Sequence, residues 1–104
     1  LDIEAIQNSL LKTGRIIVVD NAWMVCGAGA EIIAHLAEMD VKMKAKRMGF
    51  AFVPCPTTPT LEEHFYPNAK KIALEAYKMI YPYKKAWHPS TELYIEEIEF
   101  KGPF

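Results

Sequence analysis

Cys26-Gly-Ala-Gly29 is where residues capable of chemistry lie closest together, a thiol followed by two glycines at the opening of a helical pattern. The free amides and positive dipole end of a helix N-terminus can hold an anion, so Gly27, Ala28 and Gly29 form a possible anion site, and a thiolate at Cys26 would be stabilised there. The motif lacks the third glycine and the acidic residue ~20 positions on that a dinucleotide site requires, so close helix–strand packing is the favoured reading of the glycines. For Cys26 a structural role is favoured, since no histidine or second cysteine stands at catalytic or metal spacing. Asp20 and Asn21 are placed to orient a substrate, yet Asx residues at a strand end more often close the turn. His35, His64 and His88 share no spacing, which favours surface roles over metal ligation. No nucleophile–base or carboxylate pair occurs at a plausible separation, and no catalytic residue is assigned.

The elements that position these residues are legible around them. Arg15 to Asp20 is a β-branched run, and its Ile16, Ile17, Val18 and Val19 do not alternate with polar residues, which predicts a strand buried on both faces in a parallel sheet. In such sheets the crevice outside the carboxyl ends of the strands meets ligands and partners, here Asp20 to Gly29. Before it, Leu1 to Thr13 carries Ile3, Ile6, Leu10 and Leu11 on one helical face, with Asp2 as cap and Gly14 as terminator. Gly27 to Met39 repeats the pattern with Ile32, Ile33, Leu36 and Ala37 as its stripe.

A charged segment, Asp40 to Arg47, reads as a solvated connector to a second strand, Met48 to Val53, which Pro54 ends. Thr60-Leu-Glu-Glu63 reads as a capping box that starts a short helix. Pro67 suits the first turn of a further helix, from about Asn68 to Tyr81, with Ala69, Ile72, Ala73, Ala76 and Ile80 on one side. The remainder alternates imperfectly through Leu93, Ile95, Ile98 and Phe100, as an edge strand or a partner-packing extension would. The organisation is a domain over residues 1–81 followed by an extension over 82–104.

At 104 residues with a net charge of −1, the chain has the balance of an ordinary globular domain. Twelve basic residues against thirteen acidic ones do not steer toward nucleic acid, and no apolar run approaches membrane-spanning length. Two cysteines make no disulfide framework, which together with the lack of a signal peptide points to the cytoplasm. Two strands are few for helices that could cover four or five, so the domain is expected to lack strands of a larger sheet.

Lys12-Thr-Gly-Arg15, the strand after it, Asp20-Asn-Ala-Trp23 and Gly27-Ala-Gly-Ala-Glu-Ile32 together resemble the C-terminal domain of transketolase-type enzymes. The likeness is strongest to the β subunit of thiamine-diphosphate-dependent 2-oxoacid dehydrogenases, such as those for pyruvate and branched-chain substrates. Pro56-Thr-Thr-Pro59, Leu61-Glu62, Pro67 and Ile72 continue the resemblance, which covers roughly Leu1 to Ile80. Asn21 stands where that family usually has an acidic residue, the prolines stand close to Leu61-Glu62, and the segment from Pro82 on has no counterpart. The resemblance implies a three-layer α/β/α fold with a mostly parallel sheet, of which the N-terminal strand or strands would be missing from this sequence. It further implies an oxidoreductase parent whose thiamine diphosphate and magnesium are bound by other domains, and no thiamine-contacting Gly-Asp-Gly motif occurs here. This domain would then serve assembly, with its own copies, the parent's other domains or subunits and the acyltransferase core as partners. A stand-alone doubly wound module holding a small anion at Gly27 to Ala30 is the alternative.

Twelve aromatic residues and five methionines exceed what one small core can cover. Trp23, Phe65, Tyr66 and Trp87 lie in loops or at helix ends and are the candidate interface residues of a dimer or higher oligomer.

Overall fold

The computed structural model describes residues 1–85 and Trp87. Its contacts group Leu1–Pro67 into one compact unit, and a second begins at Asn68.

The first unit opens with α1 (Ile3–Thr13). Asp2 caps it by accepting from the Ala5 amide at 3.0 Å. Gly14, at φ 64°, closes it in the left-handed region and donates its amide to the Leu10 carbonyl. Leu10, on the apolar face, is the buried residue of this helix. Leu11, expected on the same face, is 75 % exposed.

Strand β1 (Arg15–Trp23) follows, and α2 (Ala28–Glu38) crosses back to β2 (Lys44–Phe50), which pairs parallel to β1. Both strands depart from the sequence expectation. β1 does not stop at Asp20, because pairing resumes beyond an irregularity and joins Trp23 to Phe50. β2 begins at Lys44, because register pairs Arg15 with Lys44 and Val18 with Arg47. The stretch from Lys44 to Arg47 is thus strand, not connector, and its side chains are exposed. β2 ends at Phe50, where the Ala51 amide turns out of the sheet to the Phe65 carbonyl. Burial on both faces does not hold either. Ile16, Ile17 and Val18 are half-buried and Val19 is exposed, since among the described residues the sheet has two strands and is incompletely covered.

On α2, Leu36 is fully buried, Ile32 and Ile33 are half-buried, and Ala37 faces solvent despite its place in the predicted stripe. The helix α3 (Pro59–Phe65) starts a residue before the expected box: Thr58 is the N-cap and Pro59, with its preset φ, takes the first turn. Thr60 is therefore inside the helix. In the second unit, α4 (Ala69–Ile80) is capped by Asn68, whose Oδ1 accepts from the Lys71 amide at 2.9 Å. That cap leaves Pro67 just outside the helix rather than in its first turn. Met79 is the buried residue of α4, while Ile80 is half-exposed. The expected edge strand over Leu93 to Phe100 lies outside the described residues.

Candidate functional site at the strand ends

The carboxyl ends of β1 and β2 meet the Pro-rich segment at an aromatic cluster. Trp23 stands edge-on to Phe50, Phe52 and Phe65 at ring-centroid distances of 6.0, 6.1 and 5.7 Å. Phe50 packs on Phe65 at 4.8 Å, and Tyr66 stands perpendicular to both. Such edge-to-face geometry aligns ring quadrupoles and fixes the orientation of the group.

Only part of the cluster is covered. Phe65 is 3 % exposed, a core residue that backs the surface, whereas Trp23 remains 42 % and Phe52 77 % exposed. Around them Val25, Val53 and Pro54 complete an open apolar pocket of about 400 Å³. A second apolar hollow of about 250 Å³ lies beside it, between Val53, Pro56, Leu61 and Phe65. The candidate interface residues Trp23, Phe65 and Tyr66 are thus brought together. Trp87 belongs to the other compact unit, where it stacks on Tyr77 at 5.3 Å.

Gly27 and Gly29 have packing explanations. A β-carbon on Gly27 would collide with the Trp23 carbonyl, and one on Gly29, which is buried, would lie 3.3 Å from Val18 Cγ1. The helix start is laid directly on β1. Cys26 is exposed with φ 58°, so it fills no core position and instead takes a left-handed turn residue's place. His35 and His64 are exposed. Asn21 is exposed and Asp20 half-buried, both within β1 rather than in a turn.

Sequence reasoning missed Arg47. Its Nη1 donates to the Met24 carbonyl at 2.6 Å, tying β2 to the loop that leads into α2. It also missed the pair formed by Cys55 and Tyr66, whose Sγ and Oη lie 3.3 Å apart. Cys55 Sγ is also 3.6 Å from the Pro56 carbonyl, to which it donates. The hydrogen bond to Cys55 raises the Tyr66 pKa above the ordinary phenol value, with lesser contributions from desolvation and from the charges of Cys55 and Glu62.

Two parallel strands with a crossover helix laid on them, and an apolar mouth at their carboxyl ends, define an α/β domain. Residues 1–72 match the family described as "Transketolase, C-terminal domain", and the chain belongs to that family. It is 34 % identical over 84 residues to the β subunit of the mitochondrial pyruvate dehydrogenase E1 component of Mus musculus, covering 77 % of this chain and 23 % of that protein. It is 35 % identical over 83 residues to the β subunit of acetoin:2,6-dichlorophenolindophenol oxidoreductase of Cupriavidus necator, covering 75 % and 24 %. The chain therefore spans less than a quarter of the length of these relatives. No solved structure matches.

No helix among the described residues is long and apolar enough to cross a membrane. Among the described residues no three His, Cys, Asp or Glu side chains converge on a point where a metal ion could be held.

Proposed function

We propose that this chain is the assembly and docking domain of a thiamine-diphosphate-dependent 2-oxoacid dehydrogenase β subunit or a related transketolase-like enzyme, and does no chemistry alone. The observation that carries the reading is the half-covered Trp23 at the strand ends, with exposed Phe52 and Val53 beside it. Family membership and the likeness to two kinds of dehydrogenase β subunit support it. An apolar patch of this kind, contiguous and lined by Trp23, Val25, Phe52, Val53 and Pro54, favours a protein partner over a polar substrate. A second copy of this chain is the first partner proposed, with the parent enzyme's other domains and its acyltransferase core as further ones. Thiamine diphosphate and magnesium are assigned to those other domains, which supply the decarboxylation chemistry.

Sedimentation velocity on the purified chain at tens of micromolar tests the assembly role. A dimer or larger species is expected, and a monomer throughout that range would overturn self-association. Titration with thiamine diphosphate and magnesium tests the division of labour: heat of binding with turnover of pyruvate would show that the domain carries chemistry after all.

A further inference from the structure

The second compact unit holds a pocket that the assembly reading does not use. Its apolar walls are Leu74, Tyr77, Tyr81 and Trp87, and its volume is about 220 Å³. That is below the ~300 Å³ at which small-molecule sites generally begin, and suits a single large apolar side chain. Lys78, Lys84 and Lys85 also line it, and no acidic residue does among the described residues. Lys78 has Glu75 at 3.5 Å, but with the lysine side chain 68 % exposed that pair is screened and leaves the rim positive.

The geometry points to an acidic peptide segment as the ligand of this pocket, with an apolar or aromatic residue entering between Leu74, Tyr77 and Trp87 while flanking carboxylates meet the three lysines. Charge complementarity selects the sign of the partner. The rings select its class. Tyr77 and Trp87 stack on one another at an interplanar angle of 21°, and the Lys84 ammonium lies over the Tyr81 ring, 4.5 Å from its centroid. Ring faces already occupied in this way are poor platforms for nucleobases, which bind single-stranded sites by stacking. A side chain inserted edge-on and held by carboxylates at the rim needs no free ring face.

Fluorescence anisotropy of the full chain tests this with a labelled eight-residue probe, a central Leu-Tyr pair flanked on each side by three glutamates. Saturable binding is expected, weakened at least tenfold by K84E/K85E and by replacing the probe's glutamates with glutamine. A probe carrying lysines instead of glutamates should regain affinity for K84E/K85E, which separates lost recognition from lost folding. Failure of the glutamate probe to bind at hundreds of micromolar would overturn the inference. So would binding indifferent to the lysine reversals, or tighter binding of an octathymidylate through the same lysines. None of these outcomes bears on self-association through Trp23.

Discussion

Arg47 on β2 reaches across the sheet end to the backbone of Met24, 23 residues away, and places its guanidinium 2.6 Å from that carbonyl. The bond spans the loop that sets the angle between β1 and α2. Although exposed, it is charge-assisted, so Arg47→Ala should destabilise the chain by about 1 kcal/mol. Protease cleavage near Met24 to Cys26 should accelerate with it. Urea denaturation and limited proteolysis check both effects, and an unchanged midpoint with unchanged cleavage would mean that the loop holds its shape without the arginine.

Gly29 leaves Val18 just enough room. Gly29→Val adds branches beyond a β-carbon already 3.3 Å from Val18 Cγ1, and overpacking of this kind costs ~1–3 kcal/mol. Gly29→Ala should cost less, since the neighbour has only a few tenths of an ångström to give. Equal denaturation midpoints for wild type and the valine variant would show that α2 can lift from the strand freely.

Phe65 and Trp23 touch each other yet should fail differently. Phe65→Ala empties a buried position and should cost ~3–5 kcal/mol of stability. Trp23→Ala removes a half-exposed ring and should chiefly weaken self-association, by on the order of 2 kcal/mol if it anchors the contact. Denaturation and sedimentation run on both variants separate the two roles. Dissociation caused by Phe65→Ala alone, with Trp23→Ala still associated, would remove Trp23 as the anchor of the contact.

The phenol of Tyr66 is held protonated by Cys55. Because its folded-state pKa is raised, the stabilisation it contributes is complete below the ordinary value of about 10 and is lost as pH rises through the higher folded value. Cys55→Ala should shift one tyrosine's alkaline titration downward at 295 nm and flatten that loss of stability. Superimposable titration curves for the two proteins would refute the coupling.

Much of the fold was legible where its cause is local. Asp2, the apolar spacing through Leu10 and the positive φ of Gly14 delimit α1 within a dozen residues, and the structure ends that helix where they predict. β2 was harder, because what makes Lys44 to Lys46 a strand is pairing with Arg15 to Ile17, a partner 29 residues away. Charged side chains there record only exposure, which a connector shares. The start of α3 turned on competition between two adjacent signals, and the ring constraint of Pro59 prevailed over the Thr60 box. At the strand ends, Trp23 was recognisable as a large aromatic in an exposed place. Its neighbours Phe50, Phe52 and Phe65 come from segments up to 42 residues distant, so the cluster could be read only from the fold.

The irregularity in β1 settles which way Trp23 looks. Between the pairs Val19↔Met48 and Trp23↔Phe50, β1 advances four residues while β2 advances two. Both counts are even, and exposure alternates through the irregularity, with Val19, Asn21 and Trp23 exposed and Asp20 and Ala22 half-buried, so each strand reaches the second pair with the parity it had at the first. The surplus lengthens β1 without inverting it. Loss of Asn21 alone would make the count odd and swing the indole toward the opposite side of the sheet, away from Phe50. Loss of Asn21 and Ala22 together would restore the parity, so over evolutionary time this stretch can change length in twos far more readily than in ones.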